Sequence, residues 1–287
     1  MNKLKVFIQF FLIPFCSALI LAQFTRFGVG ANPDSVQYIF AAKNLLEGNG
    51  LLVYSINGEI VPMTHWPPLY PIILALFGYF GVNLSTSANY LNMLLWFTTI
   101  VIFSFVINQV FSNNYLYSIL ATIFLGTSIN LLRLYSFAWS EPIYITFMLL
   151  CIYYLYRYLS NISLFSLILS AGFASLSFLT RYAGISLIIT AVFSIFLLTQ
   201  KNAIYKIKSS FLFSIIAIGG NLLFFVRNYL VGNNITNRDV TLKIFNLYDL
   251  KQLIYSFSSW FIPLRLPDLI RNAISFIIIL FIITAVR

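Results

Sequence analysis

The sequence predicts an all-α polytopic membrane protein, with about eight spanning helices and shorter amphipathic or re-entrant helices beside the membrane in the first external loop. Three observations carry that expectation. Hydrophobic residues make up 60% of the chain and charged residues only 8%. The apolar residues come in runs of roughly 16 to 24, the length a helix needs to cross a hydrocarbon core, rather than in the stripes of a soluble amphipathic helix. Those runs recur to the last residue without a polar block long enough for a soluble domain, so residues 1–287 are expected to form one membrane domain.

The N-terminus, "MNKLKVFIQFFLIPFCSALILAQF", has a short basic start and then about 19 apolar residues, longer than a signal-peptide core. The residues around Ala22 make a poor cleavage site, so a retained signal anchor is expected. The other apolar segments are 69–83, 89–111, 115–132, 142–159, 163–180, 183–199, 210–230 and 270–286. Lys3 and Lys5 place the N-terminus in the cytoplasm, and the cluster Lys201, Lys206 and Lys208 belongs there too, because short Lys-rich loops are retained on that side. An odd number of segments lies between, so one of them does not span. The weakest is 69–83, "LYPIILALFGYFGVN", which follows Pro67 and Pro68 and carries Gly78 and Gly81; its length suits an interfacial or re-entrant helix.

With that segment removed from the count, the external loops are about 25–88, 133–141 and 231–269, and all seven acidic residues lie in them. The positive-inside rule acts weakly on Asp and Glu, so it does not explain the one-sidedness. The expected location is a multi-pass plasma or inner membrane protein with a cytoplasmic N-terminus. The net charge of +10 sits in short loops beside apolar runs, where it sets topology; nucleic acid is not an expected partner, whereas membrane lipids are. Cys16 and Cys151 both fall inside apolar runs, which excludes a disulfide framework and a thiolate metal site.

Within the first loop, "NPDSVQYIFAAKNLLEGNG" (32–50) reads as a short surface helix. Asn32 or Asp34 can cap it, Pro33 suits its first turn, and Gly48 stops it. Val36, Ile39, Phe40, Leu45 and Leu46 recur at roughly helical spacing, with Gln37, Lys43, Asn44 and Glu47 between them. Asp34 lies in the first turn, where capping alone would account for it. The stretch "EIVPMTHWPPLYPIILALFGYFG" then returns the chain to the membrane, its prolines enforcing an extended path and Trp66 and Tyr70 suiting the interface.

An Asp followed four residues later by Tyr38, then an Ala-containing helix ending in Gly, then a "PPLYP" return into an "LFG" segment, resembles the first external loop of the GT-C class of membrane glycosyltransferases. Within that class it is most similar to the RgtA/B/C/D-like and ArnT-like enzymes and to the protein O-mannosyltransferases, whose related motif is His-Pro-Pro-Leu; here Trp66 stands between His65 and the prolines. "YSFAWSEPIYITFMLL" (135–150) resembles the second external loop of the class, and "FLTRYAGISLI" (178–188) and "FFVRNYLVGNNITNRDVT" (224–241) resemble later signatures. Order and spacing carry the resemblance over most of the chain.

The resemblance implies transfer of a sugar, with inversion, from a polyprenyl-phosphate donor to a lipid, glycan or protein acceptor at the non-cytoplasmic face. It makes Asp34 the candidate base and Glu141 a second catalytic acid that holds the acceptor or, with Asp34, a divalent metal cation. Arg181, Arg227, Arg238 and Lys243 are the candidate phosphate ligands, and Tyr38 and His65 join the substrate-binding set. Interfacial anchoring accounts equally for Arg181 and Arg227. Two other functional classes stay open: a transporter or flippase of lipid-linked or small substrates, and a non-catalytic membrane subunit. Members of the resembled class carry more spans and often a soluble C-terminal part, so the chain is expected to be a short member, a C-terminally truncated piece or one half of a split protein.

Overall fold

The computed structural model describes residues 3–111, 114–237, 246–261 and 266–285. The chain forms two compact units, Met1–Asn237 and Arg238–Arg287. It is predominantly helical, and the helices track the apolar segments closely. In the first unit, α1 (Lys3–Phe7) runs through a π-helical stretch, Ile8–Leu12, into α2 (Ile13–Phe24). Pro14 explains the widened turn: its ring lacks an N–H and crowds the carbonyl four residues upstream, so the preceding turn opens rather than breaks. Next come α3 (Pro33–Leu46), β1 (Leu52–Tyr54), β2 (Ile60–Pro62), α4 (Leu69–Tyr79) and α5 (Leu84–Val110). The unit continues with α6 (Tyr115–Gly126), α7 (Ile129–Tyr135), α8 (Glu141–Asn161), α9 (Leu164–Thr180), α10 (Gly184–Leu198) and α11 (Ala203–Gly232). The second unit holds α12 (Leu247–Phe261) and α13 (Asp268–Ala285).

Among the described residues, four helical stretches are long and apolar enough to cross a membrane: Lys3–Phe24, α5, α8 and α11. A fifth is added if α6 and α7, bent by 52° at Thr127–Ser128, count as one broken span. The remaining apolar helices of the first unit, α4, α9 and α10, are shorter. At 11 residues and about 1.5 Å per residue, α4 is roughly half as long as a hydrocarbon core is thick.

Two features depart from the layout expected of the external loops. The first loop contains an antiparallel hairpin, with Leu52 opposite Pro62, Val53 opposite Val61 and Tyr54 opposite Ile60. Its tip is closed by Ser55 N–H to the Glu59 carbonyl (2.7 Å) and Gly58 N–H to the Ser55 carbonyl (3.0 Å), with Gly58 at φ +82°. Asn57–Gly58 between two β-branched runs is the local chemistry that hairpins use. The second feature is α12, which lies inside the stretch expected to be a polar loop.

Two buried clusters hold the helix ends on which the candidate site is built. Tyr38 and Ala42 of α3 pack with Tyr70, Leu74 and Ala75 of α4, Ala88 and Leu91 of α5 and Ile143 of α8, so the amphipathic helix is docked across the ends of three others. Cys151, Leu155 and Tyr158 of α8 meet Ala171 and Ala174 of α9, Ile188 of α10 and Phe213 and Ala217 of α11. Small residues along α9 let its neighbours approach closely, the packing mode of helices that share an apolar solvent. Between α9 and α10 the approach is closer still. A Cβ at Gly184 would stand 2.5 Å from the Cα and N of Phe178, so glycine alone fits that reversal.

Candidate active site

The first loop and the α7–α8 connection are joined by backbone. Gly30 N–H donates to the Ser136 carbonyl (2.8 Å) and Ala138 N–H to the Gly30 carbonyl (2.9 Å). Glycine suits that position, because a Cβ would lie 2.9 Å from the Phe137 ring and push it aside. Asn92 of α5 completes the joint by donating to the carbonyls of Tyr135 and Phe137 at 2.8 and 2.7 Å.

On this joint stand the two helix starts that matter. At the start of α3, Asn32 accepts from Ser35 N–H (2.9 Å) while Ser35 Oγ accepts from Asn32 N–H (3.2 Å), a reciprocal capping box with Pro33 at the first helical position. Asn32 is therefore the cap, and the exposed Asp34 carboxylate is not used for capping. One turn later Tyr38 is buried.

At the start of α8 the opposite economy holds. Ser140 occupies the cap position, but its hydroxyl caps nothing. It is fully buried and instead meets the Tyr38 hydroxyl at 3.2 Å and accepts from Arg181 Nη1 at 3.4 Å. The same Nη1 forms an ion pair with Glu141 Oε1. Arg181 is the extended residue that ends α9, set by the tight reversal at Gly184. Its side chain is 38% exposed and that of Glu141 27%. The remaining guanidinium N–H groups of Arg181 have no protein partner among the described residues, which leaves part of its donor fork for a ligand.

Tyr38 reads the electrostatics of the cluster. Burial pushes its phenol up from 10.0 to about 12; the Ser140 hydrogen bond and the Arg181 charge pull it down, and Glu141 and then Asp34 push it up. The phenol is therefore a hydrogen-bond donor throughout neutral pH, surrounded by one cation and two carboxylates. Tyr70 stands edge-on to it, 5.1 Å between ring centres, with a buried hydroxyl that has no partner among the described residues.

The structure thus joins Tyr38, Glu141 and Arg181 through Ser140, sets Tyr70 against Tyr38, and leaves Asp34 one helical turn before Tyr38 on α3. Sequence reading passes over Ser140 because a serine before Glu-Pro reads as an ordinary cap. Arg227 lies at the hairpin: Nη1 donates to the Met63 carbonyl (2.7 Å) and Nη2 to the Leu51 carbonyl (3.0 Å), so its fork grips both sides of the hairpin neck. His65 sits beyond the hairpin, its Nδ1 3.2 Å from the Asn237 carbonyl and its ring edge-on to Trp66. Arg238 and Lys243 lie outside the described residues. Among the described residues no three of His, Cys, Asp and Glu converge to hold a metal ion, and Glu141 is engaged by Arg181. No family model, no curated protein and no solved structure matches the chain.

Proposed function

We propose that the chain is an integral-membrane glycosyltransferase that takes a sugar from a polyprenyl-phosphate donor and passes it, with inversion, to an acceptor hydroxyl at the non-cytoplasmic face. One observation carries this: the Asp34 helix and the Glu141–Arg181 pair, far apart in the chain, meet through Tyr38 and Ser140 on a backbone joint between two loops. An exposed carboxylate free of structural duty and a half-buried arginine with unused donors are the two charges the chemistry needs.

In the proposed step, the acceptor oxygen attacks the anomeric carbon as its proton passes to Asp34. The bond from that carbon to the donor phosphate breaks, and the bonding pair leaves with the polyprenyl phosphate. Arg181 meets the charge that develops there. Glu141 holds the Arg181 guanidinium in place, and Tyr38 fixes Ser140, so these two are positioning residues. In the corresponding topology eight crossings are Lys3–Phe24, α5, the bent pair α6–α7, α8, α9, α10, α11 and α13, with residues flanking α9 and α10 completing the short ones, and α4 does not cross.

The test is sugar transfer by the full chain in lipid nanodiscs, using a panel of radiolabelled polyprenyl-phosphate sugars with glycolipid acceptors. Asp34→Asn is expected to lower turnover by about 100-fold or more while insertion and expression persist. Undiminished transfer by that variant removes Asp34 as the base. Vectorial movement of lipid without new glycosidic bonds would replace the proposal with transport.

A further inference from the structure

Behind Tyr38 the hairpin encloses a second concavity, of ≈ 520 Å³, walled by Tyr54, Ser55 and Asn57 of the hairpin, by His65 and Trp66 after it, and by Asn237. Small-molecule sites fall in the range of about 300–1,000 Å³. No Asp, Glu, Lys or Arg is among the described lining residues. The walls combine two aromatic side chains and the aliphatic Val53, Ile56, Val61 and Pro62 with amide, hydroxyl and imidazole groups.

Those walls are held from outside the cavity. The Gln37 amide donates to the Tyr54 carbonyl (3.1 Å) and accepts from Tyr54 N–H (2.9 Å), which locks β1 to α3. Phe40 stacks behind Tyr54 with ring centres 4.0 Å apart, leaving the other face of Tyr54 open. Arg227 grips the neck of the hairpin, and the Tyr182 hydroxyl donates to the Thr64 carbonyl (3.0 Å). The cavity also shares a wall with the first cluster: Trp66 stands edge-on to Tyr38, and Tyr182 directly follows Arg181.

We infer that this cavity binds the acceptor of the proposed transfer, and that what the acceptor presents there is a neutral, hydroxyl-rich glycan end. The inference rests on the glycosyltransferase reading for the word acceptor, and on the lining alone for the ligand class. An ionised ligand would lose hydration with no opposite charge among the described lining residues to receive it. Sugar rings offer what the walls can pair: an apolar C–H face for Tyr54 and Trp66, and hydroxyls that both donate to and accept from amides and hydroxyls.

Binding is measured on the full chain in nanodiscs by saturation-transfer NMR, with neutral disaccharides and their uronate counterparts as probes. Saturable binding of the neutral probes is expected, with the uronates weaker. Asn57→Ala and Tyr54→Leu should each weaken the neutral probes by about threefold to tenfold, the worth of one neutral hydrogen bond or stacked ring. Absent binding, equal binding of the uronates, or binding indifferent to both variants overturns the inference. In the transfer assay the same variants should raise the acceptor KM and leave kcat unchanged. Glycan binding that both variants weaken, without transfer from any donor, sinks the glycosyltransferase reading and leaves the glycan site standing. Transfer with an unaltered acceptor KM sinks the acceptor site alone.

Discussion

Arg227 shows how far a residue's neighbours can depart from its local sequence. It stands near the end of a long apolar segment, a place where phosphate binding and interfacial anchoring are equally legible, and its guanidinium also braces the first loop. Its fork donates to carbonyls 164 and 176 residues away and to the Asn228 Oδ1 beside it. Arg227→Met should leave those two carbonyls short of a charged donor and cost about 2–3 kcal/mol, since a hydrogen bond to a charged group is worth about 1.5–3 kcal/mol. Arg227→Lys, with a point charge in place of the planar fork, should recover only part of that. Limited proteolysis between residues 50 and 65, together with thermal unfolding, checks both variants. Loss of donor binding with an unchanged hairpin would return Arg227 to the phosphate site. Asp34, Glu141 and Arg181 were legible as candidates because few charged groups interrupt so apolar a chain, and Tyr38 through the resemblance carried by its spacing from Asp34. Ser140 was not, because only the tertiary structure reveals that its hydroxyl is diverted from capping.

At the scale of elements, the junction of α9 and α10 sets Arg181, and it depends on Gly184. Any Cβ there would meet the Phe178 backbone, which cannot swing aside as a side-chain tip can. Gly184→Ala is expected to destabilise the first unit by about 1–3 kcal/mol or more, as overpacking does, and to lower transfer further by displacing Arg181 from Glu141. Gly172→Ala, in the middle of α9 with open space around it, is the matched control and should be neutral or stabilising by up to about 1 kcal/mol. Equal thermal stability of the two variants would show that the reversal tolerates a side chain. Helix positions were legible because period and run length are properties of the segment itself: the expected 89–111 and 142–159 became Leu84–Val110 and Glu141–Asn161. The hairpin was also written locally, in Asn57–Gly58 between "LLVYS" and "EIVP", but three-residue strands are too short to register against the helical pattern around them. The α12 helix escaped because its apolar and polar residues interleave at helical spacing inside a stretch judged only by its mean polarity.

For the whole molecule, the proposal stands on sidedness, which charge and helix length constrain together. With the bent pair α6–α7 as one span, a crossing α4 would put the loops carrying Asp34 and Glu141 on opposite sides, yet Gly30 and Ala138 are hydrogen-bonded to each other's loops. A backbone joint cannot straddle a hydrocarbon core about 30 Å thick. The short α4 and the joint thus favour the same count, which also leaves Lys201, Lys206 and Lys208 opposite the site. A cysteine-free background, with Cys16 and Cys151 replaced by Ser, makes this measurable with single substitutions at Asn49, Ser136 and Gln200. A membrane-impermeant maleimide applied to intact cells should label Asn49→Cys and Ser136→Cys, whereas Gln200→Cys should react only after permeabilisation. Labelling of position 49 but not 136 in intact cells, with 136 reacting after permeabilisation, would place the base and the Glu141–Arg181 pair in different compartments. No sugar transfer could then use both, because the proton acceptor and the charge that meets the leaving phosphate must act on the same anomeric carbon.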